Sequence, residues 1–239
     1  MYLKLYVVAM KTLNRYEYAD LEVLMSRMTG DEKHTAAATS TLDVLWVLYD
    51  SVLDVDPGRM RDPHRDRFLL SKGHGPMAFY AVLAAKGFFP AEWLDNWAGF
   101  DSPLGMHPDR ALVPGVEIGS GSLGHGLPIA VGVALGLKAK SGRGRVFVLV
   151  GDAELDEGSN HEAIAAAPRL GATNLTTIVI DNQSSSLGWP GGIAARFAGE
   201  GWTTVDIDGR DRRAIRSGLT DRLPDRPHLV VAHINGKGH

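Results

Sequence analysis

Residues Val146 to Ser184 read VFVLVGDAELDEGSNHEAIAAAPRLGATNLTTIVIDNQS, and this stretch carries the clearest structural signal in the chain. Its apolar runs, Val146–Val150 and Thr176–Ile180, are rich in β-branched residues and bounded by polar turns, while the Ala-rich segment between them has helical length and composition. The pattern predicts strand, helix, strand. A crossover of this kind makes the two strands parallel and right-handed, so their carboxyl ends emerge on the same edge of the sheet. Asp152 and Asn182 then share one rim.

A carboxylate, a neutral amide oxygen and one backbone carbonyl form an all-oxygen half-shell. Such a set suits a hard cation that keeps its other positions for phosphate and water, and magnesium is the natural reading. The helix beginning near Ser159 points unsatisfied N–H groups at the same rim, which favours an anion there. Together these features predict a metal-bound diphosphate. Gly-Asp after a strand also serves as a plain turn with a helix cap. The Asp-Asn turn one crossover later is what favours the metal.

Composition narrows the class. Of the 239 residues, 44% are hydrophobic and 22% charged, the balance of an ordinary globular chain rather than a disordered one. No linker, repeat or low-complexity tract interrupts it, so residues 1–239 are expected to form a single α/β domain, with residues 1–20 as an N-terminal arm. A net charge of −3 gives no nucleic-acid footprint. The absence of cysteine excludes a disulfide framework, thiolate catalysis and cysteine zinc sites. The apolar start MYLKLYVVAM is too short to span a bilayer and lacks a cleavage site, so a cytoplasmic protein is expected.

Along the chain, helices are predicted over Leu21–Met28, Thr41–Leu53, Met77–Lys86 (stopping at Gly87) and Leu127–Leu137. Phe68–Ser71 reads as a strand leading into Lys72-Gly73-His74-Gly75, Trp93–Phe100 as an amphipathic piece, and Val205–Ile207 and Leu229–Ile234 as the last strands. The whole is a mostly parallel sheet with helices on both faces. The Gly-rich run Gly115–Gly126 directly precedes a helix, a pattern shared by nucleotide sites and tight turns. Trp189, in a Gly-Trp-Pro-Gly-Gly loop, either packs against a neighbour or covers the site.

Gly151-Asp152 followed by Asp181-Asn182 resembles the signature of thiamine diphosphate enzymes. Glu154, Glu157-Gly158 and His161-Glu162-Ala163 narrow the resemblance to the transketolase family. It extends through Ser71-Lys72-Gly73-His74-Gly75, His107-Pro108, Gly115-Val116-Glu117, Gly121 to Gly126, Arg196-Phe197, Gly201-Trp202 and Asp208-Gly209. The resemblance implies a thiamine diphosphate-binding fold of the diphosphate-binding type. It implies that His74 contacts the cofactor's diphosphate end and that the backbone of Gly121, Ser122 and Leu123 faces its aminopyrimidine. Asp152, Asn182 and the backbone carbonyl of Ser184 would be the metal ligands, with Ala153 beside the diphosphate. His34 and His107 would reach the substrate, and Glu157 and Glu162 would lie between the two active sites of a dimer. The chain departs from the family pattern at Thr35-Ala36 (usually Pro-Gly), Ser122 (more often Pro), His125 (Gln) and Ala153 (Gly). A methyl group at 153 costs on the order of 1 kcal/mol if it crowds the diphosphate or meets a positive φ.

In the family the glutamate that activates the cofactor's pyrimidine belongs to a second domain, which 239 residues are too few to include. The resemblance therefore implies the N-terminal subunit of a split transketolase. Its C-terminal partner subunit would carry the pyrimidine-binding domain, most simply in an α2β2 assembly with sugar-like substrates. The alternatives are another thiamine-dependent C–C ligase or decarboxylase, or a non-catalytic interaction subunit.

Overall fold

The computed structural model describes residues 16–29, 39–73 and 75–234. In chain order these form α1 (Leu21–Ser26), α2 (Leu42–Val47), β1 (Arg67–Leu70), α3 (Met77–Ala85), α4 (Gly126–Ala139), β2 (Val146–Gly151), α5 (Gly158–Arg169), β3 (Leu175–Asp181), α6 (Gly192–Glu200), β4 (Thr203–Asp208), α7 (Arg212–Thr220) and β5 (His228–His233). The strands make one sheet in the order β1-β2-β3-β5-β4, every pair parallel.

Alternation along the strands explains the layering. Phe68, Leu70, Phe147, Leu149, Ile178 and Ile180 point to one face and pack under α1, α2, α3 and α7, whereas Leu69, Val146, Val148, Val150 and Val179 point to the other, under α4, α5 and α6. Strands buried on both faces read as near-continuous apolar runs, which is what makes β2 and β3 recognisable.

Several elements differ from their sequence reading. The segment expected as one helix over Thr41–Leu53 is α-helical only to Val47 and then widens into a π turn over Leu48–Val52, closed by Leu53 N–H donating to Leu48 O at 2.8 Å. The piece expected over Trp93–Phe100 is a 3-10 helix at Ala91–Asn96; Ala98 turns at φ 57° and leaves Phe100 fully exposed. Of the arm expected over residues 1–20, residues 1–15 lie outside the described residues. Tyr18 is anchored, donating to Asp43 Oδ1 at 2.6 Å under the Arg212 guanidinium. Helices α6 and α7 have no counterpart in the sequence reading.

One local detail ties the last motif residues to the crossover helix. Pro168 sits inside α5 and has no N–H to give the carbonyl of Ile164. The indole N–H of Trp202 takes that carbonyl instead, at 2.8 Å.

Candidate metal and diphosphate site

Strands β2 and β3 pair with Gly151 beside Ile180, and Asp152 N–H continues the ladder by donating to Ile180 O at 3.1 Å. Asp152 and Asn182 therefore emerge at the same carboxyl edge. After Asp152 the chain makes a 3-10 turn, Ala153–Asp156, before α5 starts at Gly158 with Glu157 as its cap residue. Ala153 is not among the residues with positive φ, so its methyl meets no backbone strain there.

Asp152 is buried, and its carboxylate is held by the loop after β3. It accepts from Ser184 N–H at 2.6 Å, Ser184 Oγ at 2.5 Å and Ser185 N–H at 3.1 Å. Ser185 Oγ in turn donates to Leu187 O at 2.7 Å and lies 3.2 Å from Asp156 Oδ2. Asn182 is the contrast: its Oδ1 is buried and accepts no hydrogen bond among the described residues. Leaving a buried acceptor unmet costs about 1–3 kcal/mol, so such an atom needs a reason. A cation held with Asp152 would supply one; Asn160 Oδ1 and Asn174 Oδ1 are likewise buried and unmet, but neither follows a strand end paired with that of Asp152. The donor set of Asp152, Asn182 and the Ser184 carbonyl is all oxygen and fits Mg2+. Among the described residues no cluster of three His, Cys, Asp or Glu side chains offers a metal a different cage.

Positive charge lies nearby. The Lys72 stem runs alongside Gly151, where an added Cβ would meet Lys72 Cδ at 3.5 Å. Burial lowers the Lys72 pKa, and the charges of Asp152 and Glu154 oppose that shift.

A cavity of about 300 Å³ opens beside Asp152, lined also by Asp181, Gln183, Leu187, Trp189 and His233. Trp189 packs against a neighbour and lines this cavity at once: its ring stacks on His161 with centroids 5.1 Å apart. A second cavity, of about 220 Å³, is lined by Gly73, His107, Gly121, Ser122 and Leu123. His107 is thus brought to the Gly-rich loop, and the close approach is tight, since a Cβ on Gly73 would fall 2.9 Å from the His107 ring and 2.6 Å from Ser120 Cβ. Glu157, the cap residue of α5, and Glu162, within it, are exposed, and Glu157 packs on Gly124. His34 and His74 lie outside the described residues.

Sequence reasoning assigns no role to Ser71, Lys72 or Glu154. Glu154 is buried, and it accepts from Ser71 Oγ, from Gly124 N–H at 2.9 Å and from Gly151 N–H at 3.3 Å. Burial raises its pKa, opposed by those three donors and by Lys72. Spacing could not pair Ser71 with Glu154, which are 83 residues apart.

The family model for the transketolase thiamine diphosphate binding domain matches residues 26–238. A protein of Rhodococcoides fascians named ferredoxin fas2 is 57% identical over 220 residues, covering 92% of this chain and 72% of its own. One of the subunits of the apulose-4-phosphate transketolase of Actinobacillus succinogenes is 37% identical over 207 residues, covering 84% of this chain and 75% of its own. The solved transketolase of Campylobacter jejuni superposes with a TM-score of 0.78 at 25% identity, over 90% of this chain and 36% of that one. The chain thus spans about a third of the full-length transketolase that it matches in structure. With the rim geometry and a domain match over nearly its whole length, the chain belongs to the transketolase family, as its thiamine diphosphate-binding domain.

Proposed function

We propose that this chain is the N-terminal subunit of a split, transketolase-like enzyme, binding Mg2+ and thiamine diphosphate and transferring a two-carbon ketol unit between sugar-like substrates. The observation that carries the reading is that the buried Asp152 carboxylate and the buried, unmet Asn182 Oδ1 belong to residues that follow the ends of two paired strands. Asp152, Asn182 and the Ser184 carbonyl hold the metal, with Lys72 adding positive charge near the diphosphate. The backbone of Gly121, Ser122 and Leu123 receives the ring end, and His107, at the same cavity, contacts substrate hydroxyls. His34 and His74 complete the substrate and diphosphate contacts. When bound, thiamine diphosphate supplies the carbanion chemistry, while the protein orients it.

The Actinobacillus relative is named as one subunit of its transketolase, which supports a separately encoded partner here, and that partner would bring the activating glutamate. Glu157 and Glu162 lie on the crossover, consistent with a place between paired sites in an α2β2 assembly. A ferredoxin role finds no thiolate for an iron–sulfur cluster, because none of these residues is a cysteine. A decarboxylating thiamine enzyme would use the same rim; the histidine at the loop cavity favours a hydroxyl-rich substrate.

The test is hydrogen–deuterium exchange at C2 of thiamine diphosphate with the purified chain saturated in Mg2+. Slow exchange is expected for the chain alone and fast exchange once its partner has been added. Fast exchange by the chain alone would show that the activating acid is already present and would overturn the split reading.

A further inference from the structure

The cavity beside Asp152 and the cavity beside His107 share no lining residue. Glu154 lies at the seam between the elements that build them. Its carboxylate draws donors from three segments: Ser71 at the end of β1, Gly124 in the Gly-rich loop, and Gly151 at the end of β2. Ser71 Oγ itself accepts from Gly126 N–H at 3.0 Å, so the hydroxyl relays a second loop amide to the same carboxylate. Behind it, Asn160 Nδ2 donates to Glu154 O at 2.6 Å and Ser159 Oγ donates to Gly124 O at 2.7 Å, which fastens both the turn and the loop to α5. The fit leaves no slack: a Cβ on Gly126 would come within 2.2 Å of Ser71 Oγ, and one on Gly124, at φ +85°, within 2.6 Å of Glu157 Cβ.

A buried carboxylate is a poor choice for stability alone, because its desolvation is large and apolar replacements at such positions are often neutral or better. What it does provide is geometry. An ionised carboxylate only accepts, and several donors fixed on different segments admit one arrangement.

We propose that Glu154 is the positioning residue that locks the Gly-rich loop to the metal-bearing strand end, so that the ring end and the diphosphate end of one cofactor are gripped at a fixed spacing. This rests on the thiamine diphosphate reading above. It makes Glu154 a determinant of selectivity for the whole cofactor over its diphosphate fragment, without contact to either.

Two variants test it, Glu154→Gln, which keeps the shape, and Ser71→Ala, which removes only the relaying hydroxyl and remains informative if the first fails to fold. In the chain itself, amide hydrogen exchange over residues 121–126 should quicken in both variants while the strands keep their protection. In the complex with Mg2+ and the partner subunit, affinity for thiamine diphosphate should fall about tenfold or more, while affinity for inorganic diphosphate changes less than about threefold. Equal losses for both ligands, or unchanged loop exchange, would reduce Glu154 to a structural residue and overturn the proposal. If the wild-type complex binds no thiamine diphosphate, the cofactor reading fails instead, and the exchange data still decide whether Glu154 tethers the loop.

Discussion

Adjacent residues at the end of β3 divide the sheet's carboxyl edge into two halves of opposite character. Asp181 turns to the β5–β4 side, where the His233 ring bridges two carboxylates, Nδ1 to Asp181 at 3.0 Å and Nε2 to Asp206 at 2.7 Å. Both nitrogens of that ring have their partners inside the protein, although the trio also lines the cavity beside Asp152. Asn182, one residue on, follows the strand that pairs with β2, and its buried amide oxygen has no partner among the described residues. Both halves are rich in acids, so acidity alone does not mark a site. The feature that separates them is the buried, unmet Asn182 Oδ1 at a strand end, a condition that Asn160 Oδ1 and Asn174 Oδ1 share elsewhere among the described residues.

If the β2 half is the binding half, the largest effect belongs to Asp152. Asp152→Ala removes the only charge in the proposed ligand set, and affinity for Mg2+ with thiamine diphosphate should fall by about 100-fold or more. The sheet should persist because the residue follows the end of β2, while the loop after β3 loses the carboxylate that Ser184 and Ser185 hold. Calorimetric titration beside circular dichroism checks both, and unchanged affinity would remove the metal assignment along with the contrast between the halves.

His107 lies on the same half but at the other cavity. His107→Ala should lower kcat by about 10- to 100-fold while cofactor affinity moves less than about threefold, and the same separation is expected for His34→Ala. Steady-state rates of the reconstituted enzyme against cofactor titration decide it. A parallel loss of cofactor affinity would place His107 in the anchor instead of on the substrate side.

How much of this is legible in the sequence depends on the range of the interaction. The β2–α5–β3 crossover and its rim are readable because strand runs and turns are local patterns, and parallel pairing follows from the crossover itself. The roles at Gly121–Leu123, His74 and Ser184 come only through the family resemblance. Glu154 stands in the motif without a readable role, since its partners are a serine 83 residues away and amides of a loop. Helix α7 does leave a signal: Asp211 caps it by accepting from Arg213 and Ala214 N–H, and Ile215, Gly218 and Leu219 form its buried stripe. The exposed Arg-rich remainder hides that stripe from a reading based on apolar runs.

Ala153 tests the binding half more gently. Because it opens a 3-10 turn without positive φ, Ala153→Gly gains nothing from relieved strain and should lower stability by about 0.5–1 kcal/mol through added freedom of the unfolded chain. Denaturant unfolding measures this. A tighter grip on inorganic diphosphate in the variant would show that the methyl crowds the anion.

The closed half should respond to pH and not to cofactor. Burial by itself would lower the His233 pKa, but the hydrogen bonds its ring makes to the Asp206 and Asp181 carboxylates, with their charges, outweigh it, and the net shift is upward. In the unfolded chain the group titrates near about pH 6.5. The folded state therefore binds this proton more tightly, and its stabilisation is fully present below about pH 6.5 and is lost as pH rises through the raised folded value. His228 works in the opposite sense, its pKa lowered chiefly by burial, so that acidification through its range destabilises the fold. Wild-type stability mixes the two signs. The difference between wild type and His233→Gln isolates the first, and it should be largest on the acid side and shrink toward alkaline pH. With the His233 side chain 48% exposed, solvent screening keeps that difference below about 1 kcal/mol. Affinity for thiamine diphosphate should stay within about twofold, since His233 lines the cavity beside Asp152 but has both ring nitrogens already engaged by Asp181 and Asp206. A difference independent of pH would mean that the bridge is not ionic, and a large loss of cofactor affinity would mean that the two halves of the rim act as one.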